Sequence, residues 1–257
     1  MEIKENIINL YELIKNAKHL VALTGAGVST LSGIRDFRGK NGLYNEMDAE
    51  KIFSIEYFEK DPSFYYNNAG SFIYNTDEKG ETVFAPSIVH NVLGKLEQRG
   101  FLKALITQNI DLLHQKGGCK NVIEIHGSPV THYCLRCSGV RVSFEEAAAV
   151  VRKGEMPKCP KCGRVVKPAI TFFGESLPAE ALRQATIESQ QADLMLILGT
   201  SLTVYPAASM PEYTLRCGGK IVIVNNMPTP LDNKAQLRFE DLGQVFEELE
   251  KLLSVCL

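Results

Sequence analysis

Two short turns carry the densest chemistry in the sequence: Cys134-Leu135-Arg136-Cys137 and Cys159-Pro160-Lys161-Cys162, separated by twenty-one residues. A C-x-x-C turn lets two thiolates face one ion, and two such turns supply four sulfurs for a tetrahedral site with no position left open to water. One structural zinc ion is the expected occupant of Cys134, Cys137, Cys159 and Cys162. A redox disulfide pair is the alternative, but two pairs in one polar stretch bearing glycine and proline suit a metal better. The remaining cysteines, Cys119, Cys217 and Cys256, read as inert packing or surface thiols.

A second concentration of unusual residues, Thr24-Gly25-Ala26-Gly27-Val28-Ser29-Thr30, follows the apolar run Leu20 to Leu23. Its glycines would let backbone N–H groups approach a phosphate that Ser29 and Thr30 could also contact, although a plain tight turn has the same G-x-G pattern. The third glycine of the dehydrogenase fingerprint is out of place, and no acidic residue closes the next strand to hold a ribose, which argues against hydride transfer. Asn225 and Asn226, after the run Ile221 to Val224, are better placed for a nucleotide hydroxyl.

Gln108, Asn109 and Asp111 stand together at the end of the run Ala104 to Ile106. Capping of the following helix would account for Asn and Asp there. His126, beside Gly127 at the end of the run Val122 to Ile125, has an imidazole whose ordinary pKa near 6.5 allows proton exchange around neutrality. A lone strand-end histidine is more commonly just bonded to a backbone carbonyl. His19, His90, His114 and His132 lack comparable neighbours along the chain.

Helices and strands must bring these residues together. Ile7, Leu10, Tyr11 and Ile14 recur at helical spacing, so the first eighteen residues read as an amphipathic helix. Short apolar runs at 20–23, 104–106, 122–125, 194–198 and 221–224 read as buried strands, with helical patterns between several of them. That alternation predicts a parallel α/β sheet, which binds ligands beyond the carboxyl ends of its strands. Two stretches interrupt it: 40–85, rich in aromatic and polar residues, reads as a helical insertion, and 128–168 holds both cysteine pairs. Together they would form a small lobe packed on a main domain of 1–39, 86–127 and 169–257.

With 257 residues, 45% hydrophobic and 23% charged, the chain is an ordinary globular sequence, and a net charge of -2 gives it no field to attract nucleic acid. Arg136, Arg141, Arg152, Lys153, Lys158, Lys161, Arg164 and Lys167 make the cysteine lobe basic, and a solvated face is the expected meaning. No N-terminal stretch has signal-peptide character and none reaches the roughly 18 apolar residues of a membrane span. A soluble, cytoplasmic protein with no membrane or nucleic-acid partner is the expectation.

The stretches GAGVSTLSGIRDFRG, TQNIDLLHQKGG, His126-Gly127, ITFFGESLP, LGTSLTVYPA and IVIVNN together resemble, in order and spacing, the sirtuin family of NAD-dependent protein lysine deacetylases. The resemblance covers most of residues 15–227 and looks most like the compact bacterial and archaeal members. It implies a Rossmann-like parallel sheet with helices on both faces, plus a small lobe made of a zinc-ribbon insertion and a helical insertion.

The resemblance also assigns roles residue by residue. NAD would lie across the strand ends, its diphosphate on Gly25, Ala26, Gly27, Ser29 and Thr30, with Asp36, Phe37, Arg38 and Tyr44 in the adjoining loop. Phe37 and Arg38 would close over the nicotinamide ribose. Gln108 would bond ribose hydroxyls, Asn109 would orient ribose or water, and Asp111 with the Ile110 backbone would hold the carboxamide. Gly199, Thr200, Ser201, Asn225 and Leu242 would complete the cofactor site. His126 would be the general base, joined in catalysis by Asn109 and Asp111.

The implied substrate is an acetylated protein or peptide, flanked by Phe37, Ile110, Thr171, Phe173, Gly174, Glu175, Val204 and Tyr205 and held largely through its backbone. Phe172, alternating with Phe173, reads as a core residue. Apolar walls from Phe37, Ile110, Phe173 and Val204 suit a neutral acyl group. The family's acid-acyl members carry a Tyr-x-x-Arg pair where this chain has Asn68-Ala69-Gly70-Ser71-Phe72. Two departures from the family pattern stand out, Arg35 in place of proline and Thr171 in place of an apolar β-branched residue.

The implied reaction releases nicotinamide, joins the acyl oxygen to the ribose, and ends in free lysine and O-acetyl-ADP-ribose, by a protein expected to be monomeric. A mono-ADP-ribosyltransferase is the rival enzyme, and a non-catalytic NAD-sensing or zinc-ribbon binding module the rival of another class.

Overall fold

The computed structural model describes residues 2–36, 39, 42, 49–70, 73–77 and 82–255. Its strands are β1 (Leu20–Thr24), β2 (Leu102–Thr107), β3 (Val122–Glu124), β4 (Gly127–Tyr133), β5 (Arg141–Ser143), β6 (Lys167–Ile170), β7 (Leu194–Leu198), β8 (Lys220–Val224) and β9 (Leu237–Phe239). Its α-helices are α1 (Glu2–Asn16), α2 (Gly27–Thr30), α3 (Ala49–Ile52), α4 (Ile55–Lys60), α5 (Pro62–Ala69), α6 (Ile88–Gln98), α7 (Leu113–Lys116), α8 (Phe144–Val151), α9 (Ala179–Gln191), α10 (Met210–Arg216) and α11 (Leu242–Val255).

Six strands form one sheet in the order β3-β2-β1-β7-β8-β9, and every neighbouring pair is parallel. The chain lays down β1, β2 and β3 toward one edge, then crosses back to place β7, β8 and β9 on the far side of β1. All five apolar runs read from the sequence lie in this sheet or at its strand ends. Buried on both faces, they need no polar alternation. β9 is an edge strand with only Phe239 fully buried, and no apolar run announces it.

Alternate residues of each strand serve two cores. Leu20, Ala22, Leu196 and Val222 pack with Ile7, Leu10 and Ile14 of α1, Val92 of α6 and Phe246 of α11. Val21, Leu23, Ile197 and Ile221 face Ala185 of α9 and Met210 of α10. Helices thus cover both faces, and each fully buried aliphatic side chain contributes about 1.5–3 kcal/mol of burial free energy.

The second sheet is small and antiparallel, in the order β5-β4-β6. One apolar core joins it to the helices of the other insertion: Phe53, Phe58, Tyr65 and Tyr74 pack with Phe144 and Ala147 of α8 and with Phe172. Ring contacts at 5.6 Å (Phe58–Phe172) and 5.1 Å (Tyr65–Phe172) lock the pieces together. Polar ends are capped locally. Ser143 and Glu146 form a reciprocal capping box on α8, and Ser87 with His90 forms another on α6. Among the described residues no helix is long and apolar enough to cross a membrane.

Candidate active site

In a parallel sheet of this kind the crevice opens at the carboxyl ends, where the strand order reverses. Here the reversal lies between β1 and β7, and a cavity of about 1370 Å3 opens there. Ala26 after β1, Asn109 after β2 and His126 after β3 all line it. So does every other described residue expected at the cofactor: Gly25, Gly27, Ser29, Thr30, Asp36, Gln108, Ile110, Asp111, Gly199, Thr200, Ser201, Asn225 and Leu242. Phe37, Arg38 and Tyr44 lie outside the described residues, as do Ser71, Phe72 and Cys256.

The glycines of the first loop face another loop at close range. The N–H of Gly25 donates to Leu198 O at 3.0 Å and that of Gly27 to Gly199 O at 2.9 Å. A Cβ on Gly25 would stand 2.7 Å from Thr200 Cβ, and one on Gly27 would stand 2.7 Å from Gly199 Cα. Their bareness is therefore required by the crossing of the β1 and β7 loops, and only the Ala26 N–H is left without a partner among the described residues. Ser29 is also engaged: its buried hydroxyl donates to Asp111 Oδ2 at 2.6 Å, so it anchors the loop to the end of β2.

Asp111 is held on both oxygens, Oδ1 accepting from the Leu113 N–H at 2.9 Å, although the cap residue of α7 is Leu112 and no side chain caps that helix. Asn109 is buried, and its amide donates to Gly25 O at 3.1 Å and Ser29 Oγ at 3.2 Å. Its carbonyl oxygen has no partner among the described residues, which leaves an acceptor for a ligand in the cavity. Gln108 Nε2 donates to Thr200 Oγ1 at 2.9 Å, tying the end of β2 to the loop after β7.

β3 stops at Glu124, two residues before His126, which sits instead in the junction leading to β4. The chain turns there because Gly127, at φ +76°, pairs with Ile170 in the other sheet, where a Cβ would stand 2.2 Å from Ala169 O. His126 O accepts from the Thr171 N–H at 2.7 Å. Nδ1 lies 3.0 Å from Gln108 O. A carbonyl can only accept, so Nδ1 carries the proton and Nε2 the lone pair. Burial holds the His126 pKa below the ordinary imidazole value, against the raising effect of the Gln108 carbonyl, so the ring is neutral at pH 7.

The opposite wall comes from Thr171, Phe173, Gly174, Glu175, Val204 and Tyr205, with Ile110 between the two halves. Phe173 is 46% exposed and Tyr205 66%, whereas Phe172 is buried, as alternation along an extended segment requires. Phe173 N donates to Phe53 O at 2.6 Å and Phe173 O accepts from Ile55 N at 3.1 Å. The Tyr205–Pro206 peptide bond is cis.

Away from the cavity, one ligand sulfur from each of Cys134, Cys137, Cys159 and Cys162 lies within 4.8 Å of the others, the only such metal-competent cluster among the described residues. Cys134 and Cys162 Sγ are 3.6 Å apart. That is too long for a disulfide and matches the separation of about 3.8 Å between tetrahedral thiolates on zinc. Buried Val166 packs against Cys134 and Cys159 in a small core of its own.

Three features had no signal in the sequence. Arg238 donates from Nη2 to Asn225 O (3.2 Å) and Met227 O (3.3 Å) and pairs through Nε with Asp232 Oδ2 (3.1 Å), bracing the loop that carries Asn225. His90 and His114 are buried with ring centroids 4.6 Å apart, His114 Nε2 reaching Thr24 Oγ1 at 2.8 Å beneath the glycine loop. Lys167, counted by sequence with the exposed basic face, is fully buried; its ammonium pairs with the half-buried Glu175.

The sequence pattern of the Sir2 family matches residues 25–206. A Thermotoga maritima protein named NAD-dependent protein deacetylase is 43% identical over 89% of this chain and 90% of its own length. Archaeoglobus fulgidus NAD-dependent protein deacylase 2 is 37% identical over 98% and 99%. A solved Sir2 structure described with deacetylated p53 peptide and 3′-O-acetyl ADP-ribose superposes with a TM-score of 0.88 at 40% identity, covering 96% of this chain and 98% of that one. Another, of Sir2Tm bound to a propionylated peptide, gives 0.83 at 38% identity over 97% and 98%. A match that runs from the glycine loop after β1 to the cis Tyr205–Pro206 bond, with relatives alike over nearly their whole lengths, places this chain in the Sir2 family.

Proposed function

We propose that this chain is an NAD-dependent protein lysine deacetylase whose smaller lobe is held by one zinc ion. The observation that carries the reading is the neutral His126 imidazole, fixed by Gln108 O in the cavity that Asn109 and the glycine loop also line. The relatives bear the same activity in their names, and solved neighbours hold deacetylated peptide with acetyl-ADP-ribose.

NAD, when bound, supplies a glycosidic bond whose cleavage frees nicotinamide and an ADP-ribose that accepts the acyl group. His126 Nε2 takes the proton from a ribose hydroxyl. The free Asn109 carbonyl oxygen orients the ribose or a water, Gln108 lies against the ribose hydroxyls, and Asp111 with the Ile110 backbone receives the carboxamide. The Ala26 N–H and Thr30 face the diphosphate, and Asn225 and Leu242 the adenosine end. Ile110, Phe173 and Val204 exclude water from the acyl group, while the Gly174–Glu175 main chain and Tyr205 flank the peptide. Cys134, Cys137, Cys159 and Cys162 would hold the zinc, which would supply structural cross-linking of the lobe away from the chemistry.

Residues 1–39, 86–127 and 169–257 serve as the nucleotide domain, with the helical insertion 40–85 and the zinc-binding insertion 128–168 as the small lobe. The protein acts as a cytoplasmic monomer on acetylated proteins. Mass spectrometry of an acetylated peptide incubated with the zinc-loaded protein, with and without NAD, tests the reading: intact acetyl-lysine after long incubation with NAD sinks it. Comparing acetyl, propionyl, butyryl and succinyl peptides tests the apolar wall, which should reject the succinyl group.

A further inference from the structure

A lysine ammonium removed from water is costly unless its donors are satisfied and its charge is paired. Lys167 meets both conditions at 0% exposure. Nζ donates to Ile170 O at 2.7 Å and Pro168 O at 3.2 Å, pairs with Glu175 Oε2 at 2.8 Å, and stands 3.9 Å over the Phe172 ring. Burial lowers the Lys167 pKa while the Glu175 carboxylate opposes that shift.

Glu175 is committed inward by the same contacts. Oε2 also accepts from the Phe172 N–H at 2.8 Å, and Oε1 accepts from Tyr133 Oη at 3.2 Å. With Glu175 N donating to Phe172 O at 3.0 Å and Gly174 at φ +93°, the carboxylate closes residues 172–175 into a turn. That turn leaves Phe173 on the cavity side.

We propose that Lys167 is a positioning residue for the acylated peptide: from its buried position it pairs with Glu175 and fixes the 172–175 turn whose outer face receives the substrate backbone. The inference rests on the reading of this wall as the peptide site. Glu175 thereby acts through its side chain on the fold and through its main chain on the substrate.

Separate KM values for NAD and for an acetyl-peptide, with melting midpoint and zinc content, should be measured for Lys167→Met, Glu175→Gln, their double variant and Tyr133→Phe. Acting as one unit, the two single changes should each raise the peptide KM about fivefold or more while the NAD KM stays within about twofold, and the double should be no worse than the worse single. Tyr133→Phe should raise the peptide KM about two- to threefold. Multiplying effects in the double variant, an unchanged peptide KM, or equal rises for NAD and peptide would overturn the inference. Should Lys167→Met not fold, an unchanged peptide KM in Tyr133→Phe and Glu175→Gln overturns it equally. Unmodified protein that turns over no peptide overturns both this and the deacetylase reading, whereas normal turnover with insensitive variants overturns this inference alone.

Discussion

His126 Nδ1 lies 3.0 Å from the main-chain oxygen of Gln108, and that contact decides which ring nitrogen can act as a base. The acceptor is a carbonyl, not a carboxylate, so it fixes the tautomer without adding negative charge. Replacing His126 by Ala should lower turnover by about 10²–10⁴-fold, the range of general-base catalysis. Calorimetric NAD affinity should hold within about twofold, because the Ala26, Asn109 and Gln108 groups remain. Near-native turnover in the variant would place the base elsewhere.

The pH profile follows from the same residue. The base must be unprotonated, and burial lowers its pKa from the ordinary 6.5. The group is therefore ready at neutral pH, and kcat/KM should be flat through pH 7 and fall only below about 6.5 as His126 gains its proton. An acidic limb centred above 6.5 would contradict the burial.

Gly27 tests the crossing of the two loops. An added methyl would stand 2.7 Å from Gly199 Cα and 2.9 Å from Gly199 O, both main-chain atoms with no side chain to yield. Gly27→Ala should lose about 1–3 kcal/mol of stability as the loops part, and its NAD KM should rise. Gly100→Ala is the control, at φ +76° with nothing within 4 Å of the new carbon. It should lose about 1–2 kcal/mol from backbone strain alone and leave the NAD KM unchanged. Equal NAD KM values in the two variants would remove the loop crossing from the explanation.

Much of this molecule is readable from the chain because its strands are buried on both faces and so appear as apolar runs. β9 is not, since an edge strand with one fully buried residue carries no such pattern. The cysteine turns are legible through spacing alone. Lys167 is the instructive misreading: by composition it belongs with the exposed cations of its lobe, yet Glu175, eight residues on, folds back to receive it. His90 and His114 are twenty-four residues apart and meet only when α6 and α7 pack, a contact with no local signature. Ser29 adds a contact with no local signature: its hydroxyl reaches Asp111, brought alongside from the end of the next strand.

The cysteine cluster predicts a metal dependence separable from catalysis. β4 ends at Tyr133, next to Cys134, and β6 begins at Lys167, five residues after Cys162, so the zinc turns close the ladder that ends at Gly127 and Ile170. Cys159→Ser should abolish the one-per-chain zinc content measured by native mass spectrometry and expose residues 128–168 to limited proteolysis before the main sheet is cut. Full zinc occupancy in that variant would remove Cys159 from the ligand set.

Acid stability gives the last prediction. His90 and His132 are fully buried, and burial first of all holds each pKa down to about 4. In the unfolded chain both rise to about 6.5. Above pH 6.5 neither state binds the proton and the groups leave stability untouched. Between 6.5 and 4 the unfolded chain takes up protons that the native state excludes, so stability falls as pH falls, by about 1.4 kcal/mol per pH unit for each group. Urea melts at pH 7, 6 and 5 should show that slope, and it should be shallower in His132→Gln, where an uncharged amide can still meet the Tyr74 hydroxyl now 2.7 Å from Nε2. Identical slopes in the two proteins would mean that His132 already takes up its proton in the folded state.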